Sequence, residues 1–244
     1  MIFSSEIKSI VNIIEETPNI DKQSLLNTAT FWTNIGNKTA FENIIKLESG
    51  QFLKITKKSF IKKKYFLNNF YNQDRNLNIN NSELRNKLRI SILNQTQSEI
   101  GYASYLSGGI DSSVIAYELS RISKKKLETF SVMFENKEYD ESKNQKIMSN
   151  FLGTRHNSIL IKNNDIYDNF SNAVNHAETF LFRTAPIPMY LLSRLVNKNG
   201  HKVVFSGEGA DEVMLGYDIF SELKIRKFWS RNPNSNIRGN LFLK

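Results

Sequence analysis

A glycine-rich turn that contains a carboxylate is the segment of this chain best suited to chemistry. Residues 107–112, Ser-Gly-Gly-Ile-Asp-Ser, follow an apolar stretch typical of a buried strand and precede a pattern typical of a helix. Gly108 and Gly109 would let the backbone approach a ligand closely, and the helix start would offer unpaired N–H groups to phosphate. Asp111 would repel a bare phosphate, so its presence indicates a Mg²⁺ ion between carboxylate and phosphate oxygens.

The turn lacks the lysine that follows the glycines in nucleotide loops of the type G-x-x-x-x-G-K-S/T. This difference argues against γ-phosphoryl transfer and favours a loop that grips pyrophosphate as a leaving group. The residues leave a plainer alternative open, which is a tight strand-to-helix turn in which Ser107 or Asp111 only caps the helix.

A second strand, glycine turn and acidic helix start occurs later in the chain. Residues 202–205 form a short apolar run, and residues 206–212, Ser-Gly-Glu-Gly-Ala-Asp-Glu, follow it. In one α/β domain, two such turns face each other across a crevice at the carboxyl edge of the sheet. We therefore expect Asp111 and Asp211 to ligate one Mg²⁺ and Glu212 to point at the group over the α-phosphate. The alternative is that Asp211 and Glu212 only favour the helix dipole.

Together the two turns resemble those of the synthetase domain of the asparagine synthetases, members of the PP-loop ATP pyrophosphatase superfamily. Further segments match in family order, and the resemblance covers nearly the whole chain. They are residues 3–9, 44–50, 65–66, 129–132, 139–142, 152–156, 183–186, 188–193 and 216–217. The resemblance implies an α/β fold with a doubly wound, mostly parallel PP-loop sheet, like that of adenine nucleotide α-hydrolases. A small α+β remnant of an amidotransferase domain would precede it.

The resemblance also implies ATP and Mg²⁺ as ligands, and aspartate and ammonia as substrates. The residues implied for ATP are Tyr105 and Val132 at the adenine, Ser206 and Gly207 beside the ribose and phosphates, and Ser107, Gly108, Gly109, Asp111 and Ser112 at the pyrophosphate. Mg²⁺ on Asp111 and Asp211 would offset charge on the leaving group. The aspartate side chain would form β-aspartyl-AMP, and ammonia would then attack it with Glu212 as the general base.

The sequence predicts two domains, with a boundary in the asparagine-rich segment 68–79. Residues 1–70 are expected to be the remnant of an N-terminal glutamine amidotransferase domain, and residues 71–244 an ATP-binding domain with an incomplete C-terminus. The chain contains no cysteine, whereas the family hydrolyses glutamine with a cysteine nucleophile. We therefore expect either free ammonia as the nitrogen source or a partner subunit that supplies the glutaminase and C-terminal parts.

Two alternatives to an asparagine synthetase remain open. One is a related acyl-adenylating, amide-forming enzyme of the β-lactam synthetase or lasso-peptide cyclase type. The other is a catalytically inactive fragment or subunit. A tRNA-modifying PP-loop enzyme would share the first turn but should lack the second.

Composition narrows the remaining classes of function. The absence of cysteine excludes disulfides and thiol catalysis. No stretch approaches the roughly 18 apolar residues of a membrane span, so we expect no membrane partner and a cytoplasmic location. The net charge is +9, but the lysines are dispersed, so a nucleic-acid partner is not expected. Binding to nucleic acid would show an affinity that falls steeply as the salt concentration rises.

Hydrophobic periodicity predicts the elements that position these residues. Strands are expected at 102–106, 127–134, 156–161 and 202–206, and helices at 4–15, 112–122, 140–152, 164–178 and 187–199. Asp21 should cap a further short helix, Ser82 should open another, and residues 41–66 should form strands. The basic, aromatic tail after Tyr217 is expected to be poorly ordered.

Several other polar residues could have either a structural or a functional role. Asp140 is expected to cap a helix, although the resemblance places its segment beside the substrate pocket. Arg183 fits either a structural ion pair or recognition of a substrate carboxylate. His156, His176 and His201 lack metal-ligand spacing and are expected to be structural or on the surface.

Overall fold

A computed structural model describes residues 1–66, 80–235 and 237 of the chain. The chain divides into two compact units, one of Met1–Arg85 with Ile161–Arg194 and one of Asn86–Leu160 with Leu195–Lys244. The expected linker at 68–79 lies outside the described residues, so the boundary at residue 70 stays a prediction. No helix among the described residues is both long enough and apolar enough to cross a membrane.

The described helices and strands follow one another in this order: α1 (Ile7–Val11), α2 (Lys22–Phe31), β1 (Gln51–Ile55), β2 (Phe60–Lys64), α3 (Asn81–Gln95), β3 (Tyr102–Tyr105), α4 (Ile110–Ile122), β4 (Glu128–Phe134), α5 (Ser142–Leu152), β5 (Arg155–Ile161), α6 (Asn163–Ala177), α7 (Pro186–Lys198), β6 (Val203–Phe205), α8 (Ala210–Met214) and α9 (Asp218–Ser230).

The first unit contains short helices and an antiparallel hairpin of β1 and β2, in which Gln51 lies opposite Lys64. The prediction for Asp21 is confirmed, since its carboxylate accepts a hydrogen bond from the Ser24 N–H at 2.6 Å and caps α2. The strand prediction for 41–48 is wrong, because this segment contains only isolated bridges. Asn43 has a left-handed backbone (φ 62°), which interrupts an extended chain.

Helix α1 is shorter than the predicted 4–15. Its start is fixed by Glu178, whose carboxylate accepts hydrogen bonds from the N–H groups of Ile7 at 2.7 Å and Lys8 at 2.8 Å. These are amides that a helix start leaves without intrahelical partners. The helix therefore begins where this carboxylate reaches the backbone, which periodicity alone does not reveal.

The second unit is built on a four-stranded sheet with the order β5-β4-β3-β6. Strand β3 pairs in parallel with β4, with Tyr105 opposite Phe130, and with β6, with Ala103 opposite Val204. The predicted parallel α/β sheet is confirmed, and each strand lies within one residue of its predicted bounds. The order reverses between β3 and β6, which is the switch point where ligands bind in open α/β sheets.

The residues that flank the first glycine turn on both sides are buried in the core of this unit. Leu106, immediately before the turn, and Ala116 and Leu119, after it on α4, are fully buried. They pack in one cluster with Ile92 of α3 and Phe205 of β6. Because both ends of the turn belong to the packed core, its backbone is positioned by burial of apolar surface.

In the tail after Tyr217, residues Asp218–Ser230 form helix α9, which the sequence analysis does not predict. Helix α9 has Asp218 in its first turn, where an acid favours the helix dipole. Arg226 pairs with Glu222 one turn earlier at 2.5 Å, a spacing that stabilises helices. Local interactions of this kind support a helix even where few of its residues are buried.

A buried hydroxyl network surrounds His156 on β5. Its Nδ1 lies 3.0 Å from the hydroxyl of Thr129, which is 2.9 Å from the hydroxyl of Thr154. Ser149 contacts Thr154 at 3.0 Å. Burial lowers the pKa of His156 below its usual 6.5, because a buried imidazole is less stable when charged.

We predict that His156 makes folding sensitive to acid. As pH falls below 6.5, the unfolded chain binds a proton that folded His156 resists, so the free energy of unfolding falls. His156→Gln should reduce this loss between about pH 7.5 and about pH 5.5, measured from urea midpoints. Asn172→Gln, at an exposed and non-titrating position of α6, is the control and should keep the wild-type slope. Identical slopes for wild type and His156→Gln would contradict the prediction.

Candidate active site at the switch point of the sheet

The first turn, residues 107–112, follows a residue that is tied to the neighbouring strand. The N–H of Leu106 donates to the carbonyl of Phe130 at 3.0 Å, and the Ser131 hydroxyl donates to the Leu106 carbonyl. The first bond continues the β3–β4 ladder past the end of the strand, and the second adds a side-chain bond beside it. The turn therefore starts from a fixed position at the carboxyl edge of the sheet.

Two serines hold the turn together from inside. The Ser107 N–H donates to the Ser112 hydroxyl at 3.1 Å, and the two hydroxyls are 2.9 Å apart. The Gly109 N–H also donates to the Ser107 hydroxyl at 3.2 Å. The resemblance implies Ser112 at the pyrophosphate, and this assignment stays a prediction. Ser112 is buried, and its hydroxyl forms these bonds within the turn.

Gly108 is required at its position by both conformation and space. Its φ is +89°, and a Cβ there would lie 2.7 Å from the Asn144 Cβ and 2.9 Å from the Gln145 nitrogen. Side chains disfavour this φ, and the helix start leaves no room for one. The first turn therefore packs directly on the N-terminal end of α5.

Gln145 is a residue of this region that no sequence pattern indicates. It is almost fully buried, and its side-chain amide donates to the carbonyl of Val132 at 2.8 Å. This bond holds Val132, the residue near the end of β4 that is predicted to contact adenine, in place. A buried glutamine in a helix has no distinctive spacing, so only the structure identifies it.

The second turn touches the first. A Cβ on Gly207 would lie 2.8 Å from the Ser112 nitrogen and 3.0 Å from the Asp111 Cβ. The backbones of the two turns are therefore in contact and leave no room for a side chain at residue 207. They meet because β3 and β6 are adjacent and parallel, which brings their carboxyl ends to the same edge. Ser206, beside Gly207, accepts a hydrogen bond from the Glu208 N–H at 3.2 Å.

Three acids lie at helix starts in these turns. Asp111 is in the first turn of α4, and Asp211 and Glu212 are in the first turn of α8. The Asp211 carboxylate lies against the backbone of Gly216, so a Cβ at residue 216 would displace the carboxylate from this position. The Glu212 carboxylate accepts a hydrogen bond from the Tyr217 hydroxyl at 3.0 Å, and this bond raises the pKa of Tyr217.

The chemistry of the carboxylates fits Mg²⁺ together with a phosphate ligand. Within the described residues, neither Asp111 nor Asp211 forms a hydrogen bond or ion pair through its carboxylate. Their oxygens are thus free for a hard cation. The same part of the chain has no group of three or more His, Asp or Glu able to hold a metal ion alone. Such an ion would complete its coordination with phosphate oxygens and water molecules.

The other predicted ligand positions line the same edge. Tyr105 ends β3, and Val132 lies near the end of β4; both are half-buried. Asp140 accepts hydrogen bonds from the Ser142 hydroxyl at 2.5 Å and the Phe134 N–H at 3.2 Å, and these two donors lower its pKa. This carboxylate ties β4 to the start of α5. The expected helix cap is not formed, since the N-cap residue of α5 is Glu141 and its side chain makes no capping hydrogen bond.

Arg183 and the remaining histidines have local partners. In the first unit, the Arg183 guanidinium lies over the Trp32 ring, 4.0 Å from its centre, which is a cation–π contact. No ion pair of Arg183 is found within the described residues. His201 lies 3.3 Å from Glu128, and the His176 ring is beside Tyr190.

The chain belongs to the asparagine synthase family, whose sequence model matches residues 83–242. It is 30% identical over 233 residues to asparagine synthetase (glutamine-hydrolyzing) 1 of Bacillus subtilis (strain 168), covering 95% of this chain and 36% of that protein. It is 34% identical over 154 residues to asparagine synthetase B (glutamine-hydrolyzing) of Escherichia coli (strain K12), covering 57% of this chain and 27% of that protein. The chain thus spans about a third of these relatives' length.

Among solved structures, the chain is similar to an NH3-dependent NAD synthetase from Campylobacter jejuni, with 21% identity and a TM-score of 0.41. The match covers 57% of this chain and 61% of that one.

We predict that Gly207→Ala disturbs both turns. The new Cβ meets backbone atoms at 2.8–3.0 Å, so one turn must shift, at a cost of about 1–3 kcal/mol in the free energy of unfolding. Amides near Asp111 and Ser112 should exchange faster with deuterium. Gly101→Ala, with no atom within 4 Å of the new Cβ, is the matched control and should be neutral. Unchanged exchange near Asp111 in Gly207→Ala would contradict the contact.

Proposed function

We propose that this chain carries an ATP-dependent amide-ligase site of the asparagine synthetase type. It activates the side-chain carboxylate of aspartate as an acyl adenylate and transfers the acyl group to ammonia. The observation that carries the proposal is the contact of Gly207 with Asp111 and Ser112, which unites two acidic turns at one sheet edge. Membership of the asparagine synthase family supports the class of reaction.

Phosphate binding is assigned to the turn at the start of α4. The first-turn N–H groups of a helix have no intrahelical acceptor, and α4 is 13 residues long, so its dipole favours an anion there. Ser107, Gly108 and Gly109 shape this turn. In the proposal they hold the pyrophosphate portion of ATP, with Ser206 and Gly207 on the other side of the phosphates.

Asp111 and Asp211 are assigned to one Mg²⁺ shared with the phosphates. Such an ion would offset the negative charge that builds on departing pyrophosphate. Tyr105 and Val132, at the ends of adjacent strands β3 and β4, are assigned to adenine. Gln145 holds the Val132 carbonyl and so positions this end of the strand.

The reaction has two steps. A carboxylate oxygen of aspartate attacks the α-phosphorus of ATP, and pyrophosphate leaves. The ammonia nitrogen then bonds to the acyl carbon, the bond from that carbon to the AMP oxygen breaks, and the nitrogen loses a proton to the Glu212 carboxylate. A positioned base typically contributes about 10²–10⁴-fold to such a step.

The nitrogen source in this proposal lies outside the chain. With no cysteine in the sequence, a thiol of this chain cannot hydrolyse glutamine. Ammonia therefore enters from solution or from a partner chain with glutaminase activity.

We predict that wild-type protein catalyses ATP–pyrophosphate exchange that depends on aspartate and Mg²⁺. Glu212→Gln should keep this exchange but lower amide formation from ammonia by about 10²–10⁴-fold, because only the second step needs the base. The measurement compares radiolabelled pyrophosphate exchange with asparagine formation.

Glu99→Gln, an exposed carboxylate outside the turns, is the matched control and should behave as wild type. If wild type shows no exchange with aspartate, the assigned reaction is wrong, and exchange with another carboxylic acid would identify a different acyl substrate. Normal asparagine formation by Glu212→Gln would remove that residue from the mechanism.

A further inference from the structure

Gln145, near the start of α5, is a buried amide with only one of its two ends bonded. Its exposure is 3%, and its Nε2 donates to the Val132 carbonyl at 2.8 Å. Its Oε1 is also buried and has no hydrogen-bond partner among the residues that the structure describes. A buried polar atom without a partner opposes folding. Stability alone therefore gives no reason for a glutamine, in place of an apolar side chain, at this position.

The Val132 carbonyl lies where the ladder between β3 and β4 has ended. Tyr105, the last residue of β3, pairs with Phe130, and the Leu106 N–H adds one bond to the Phe130 carbonyl. Val132 follows Phe130 by two residues, so its carbonyl faces the same side of β4. Beyond Leu106 the chain turns away into the first turn, and the Gln145 amide supplies the hydrogen bond that the strand no longer provides.

The start of α5 also supports the first turn. A Cβ on Gly108 would lie 2.7 Å from the Asn144 Cβ and 2.9 Å from the Gln145 nitrogen, so the turn rests directly on these atoms. Gln145 thus contacts the first turn through its backbone and Val132 through its side chain. One residue connects the position assigned to pyrophosphate with the position assigned to adenine.

We infer that Gln145 is a positioning residue for ATP. Its side-chain amide holds the Val132 peptide group in the orientation that receives adenine while the phosphates occupy the first turn. The inference rests on the proposed function, which assigns adenine to Tyr105 and Val132. Gln145 acts through Val132 and takes no part in the bonds that form or break.

The effect on binding follows from the population of this orientation. Without the bond, the Val132 peptide group can rotate away, and ATP binds only to the fraction of molecules in which it has not rotated. The apparent dissociation constant for ATP rises as that fraction falls. One neutral hydrogen bond corresponds to a factor of about three to ten in such an equilibrium.

Gln145→Met tests the inference, because methionine is unbranched and close to glutamine in volume but cannot donate a hydrogen bond. Both the KM for MgATP and its dissociation constant, measured by calorimetric titration, should rise about three- to tenfold. The turnover number at saturating ATP should not change. The dissociation constant for magnesium pyrophosphate should not change either, since Gly108 rests on the Asn144 Cβ and on backbone atoms that the variant keeps.

Unfolding in urea separates this role from a structural one. Gln145→Met removes a hydrogen bond together with the unpaired Oε1, so the urea midpoint should stay close to that of the wild type. Ser149→Ala is the matched control on the same helix. It removes a buried hydroxyl that lies 3.0 Å from the Thr154 hydroxyl, so it should lower the urea midpoint and leave both ligand affinities unchanged.

Three results would overturn the inference. The first is an unchanged affinity of Gln145→Met for MgATP. The second is an equal loss of affinity for MgATP and for pyrophosphate, because that result indicates damage to the first turn. The third is a fall in the urea midpoint larger than that of Ser149→Ala, since Gln145 would then act mainly through stability.

The wild-type protein gives a further measurement that does not depend on folding of the variant. Exchange of the Gln145 side-chain amide protons with deuterium should slow when MgATP is added, since ATP selects molecules in which the bond to Val132 is formed. Magnesium pyrophosphate should leave this exchange unchanged. Exchange that does not respond to saturating MgATP would contradict the inference.

The outcomes distinguish the inference from the proposed function. Wild-type protein that binds MgATP but shows no aspartate-dependent pyrophosphate exchange overturns the proposed reaction, and the MgATP affinity of Gln145→Met then still decides the inference. Normal MgATP affinity of Gln145→Met beside an active wild type removes only the inference. Wild-type protein that does not bind MgATP overturns both.

Discussion

Parallel pairing of β3 with β6 is the constraint on which the site depends. Each of these strands ends in a glycine turn followed by a helix start with acids. Pairing in the same direction, with Ala103 opposite Val204, brings both turns to one edge of the sheet. Because the strand order reverses at this pair, no third strand separates them, and the crevice at the switch point is left for a ligand.

Glycines allow the two turns to approach each other and their neighbours closely at this edge of the sheet. Gly108 lets the first turn rest on α5, Gly207 lets the second turn touch the start of α4, and Gly216 makes room for the Asp211 carboxylate. At Gly108 and Gly207 a side chain would push apart the parts that the strands bring together, and at Gly216 it would displace the Asp211 carboxylate. The acids are consequently positioned by backbone packing, while their carboxylates at Asp111 and Asp211 keep free oxygen atoms for a cation.

Much of this arrangement could be predicted from the sequence, because strand, glycine turn and acidic helix start are local patterns. The strands of the sheet and the Asp21 cap agree with their predictions. The role of Ser112 inside its turn could not be predicted, since a serine near phosphate-binding glycines fits either a ligand contact or a structural bond.

Other features depend on contacts between residues distant in sequence. The short α1 is set by the Glu178 carboxylate, and Gln145 is identified only by its bond to Val132. The bond from Tyr217 to Glu212 requires the left-handed Leu215. Residues with φ above zero are uncommon outside glycine, so a pattern-based reading of the chain continues the helix where the structure reverses it.

In the proposed site, the two turns bind one metal–nucleotide complex. Mn²⁺ accepts the same oxygen ligands as Mg²⁺ and broadens NMR signals of nearby nuclei. When Mn²⁺ and ATP are added together, the amide signals of Gly109, Asp111, Gly207 and Asp211 should broaden in parallel, at the same concentration. Broadening confined to one turn, with the other unaffected at saturation, would contradict the claim.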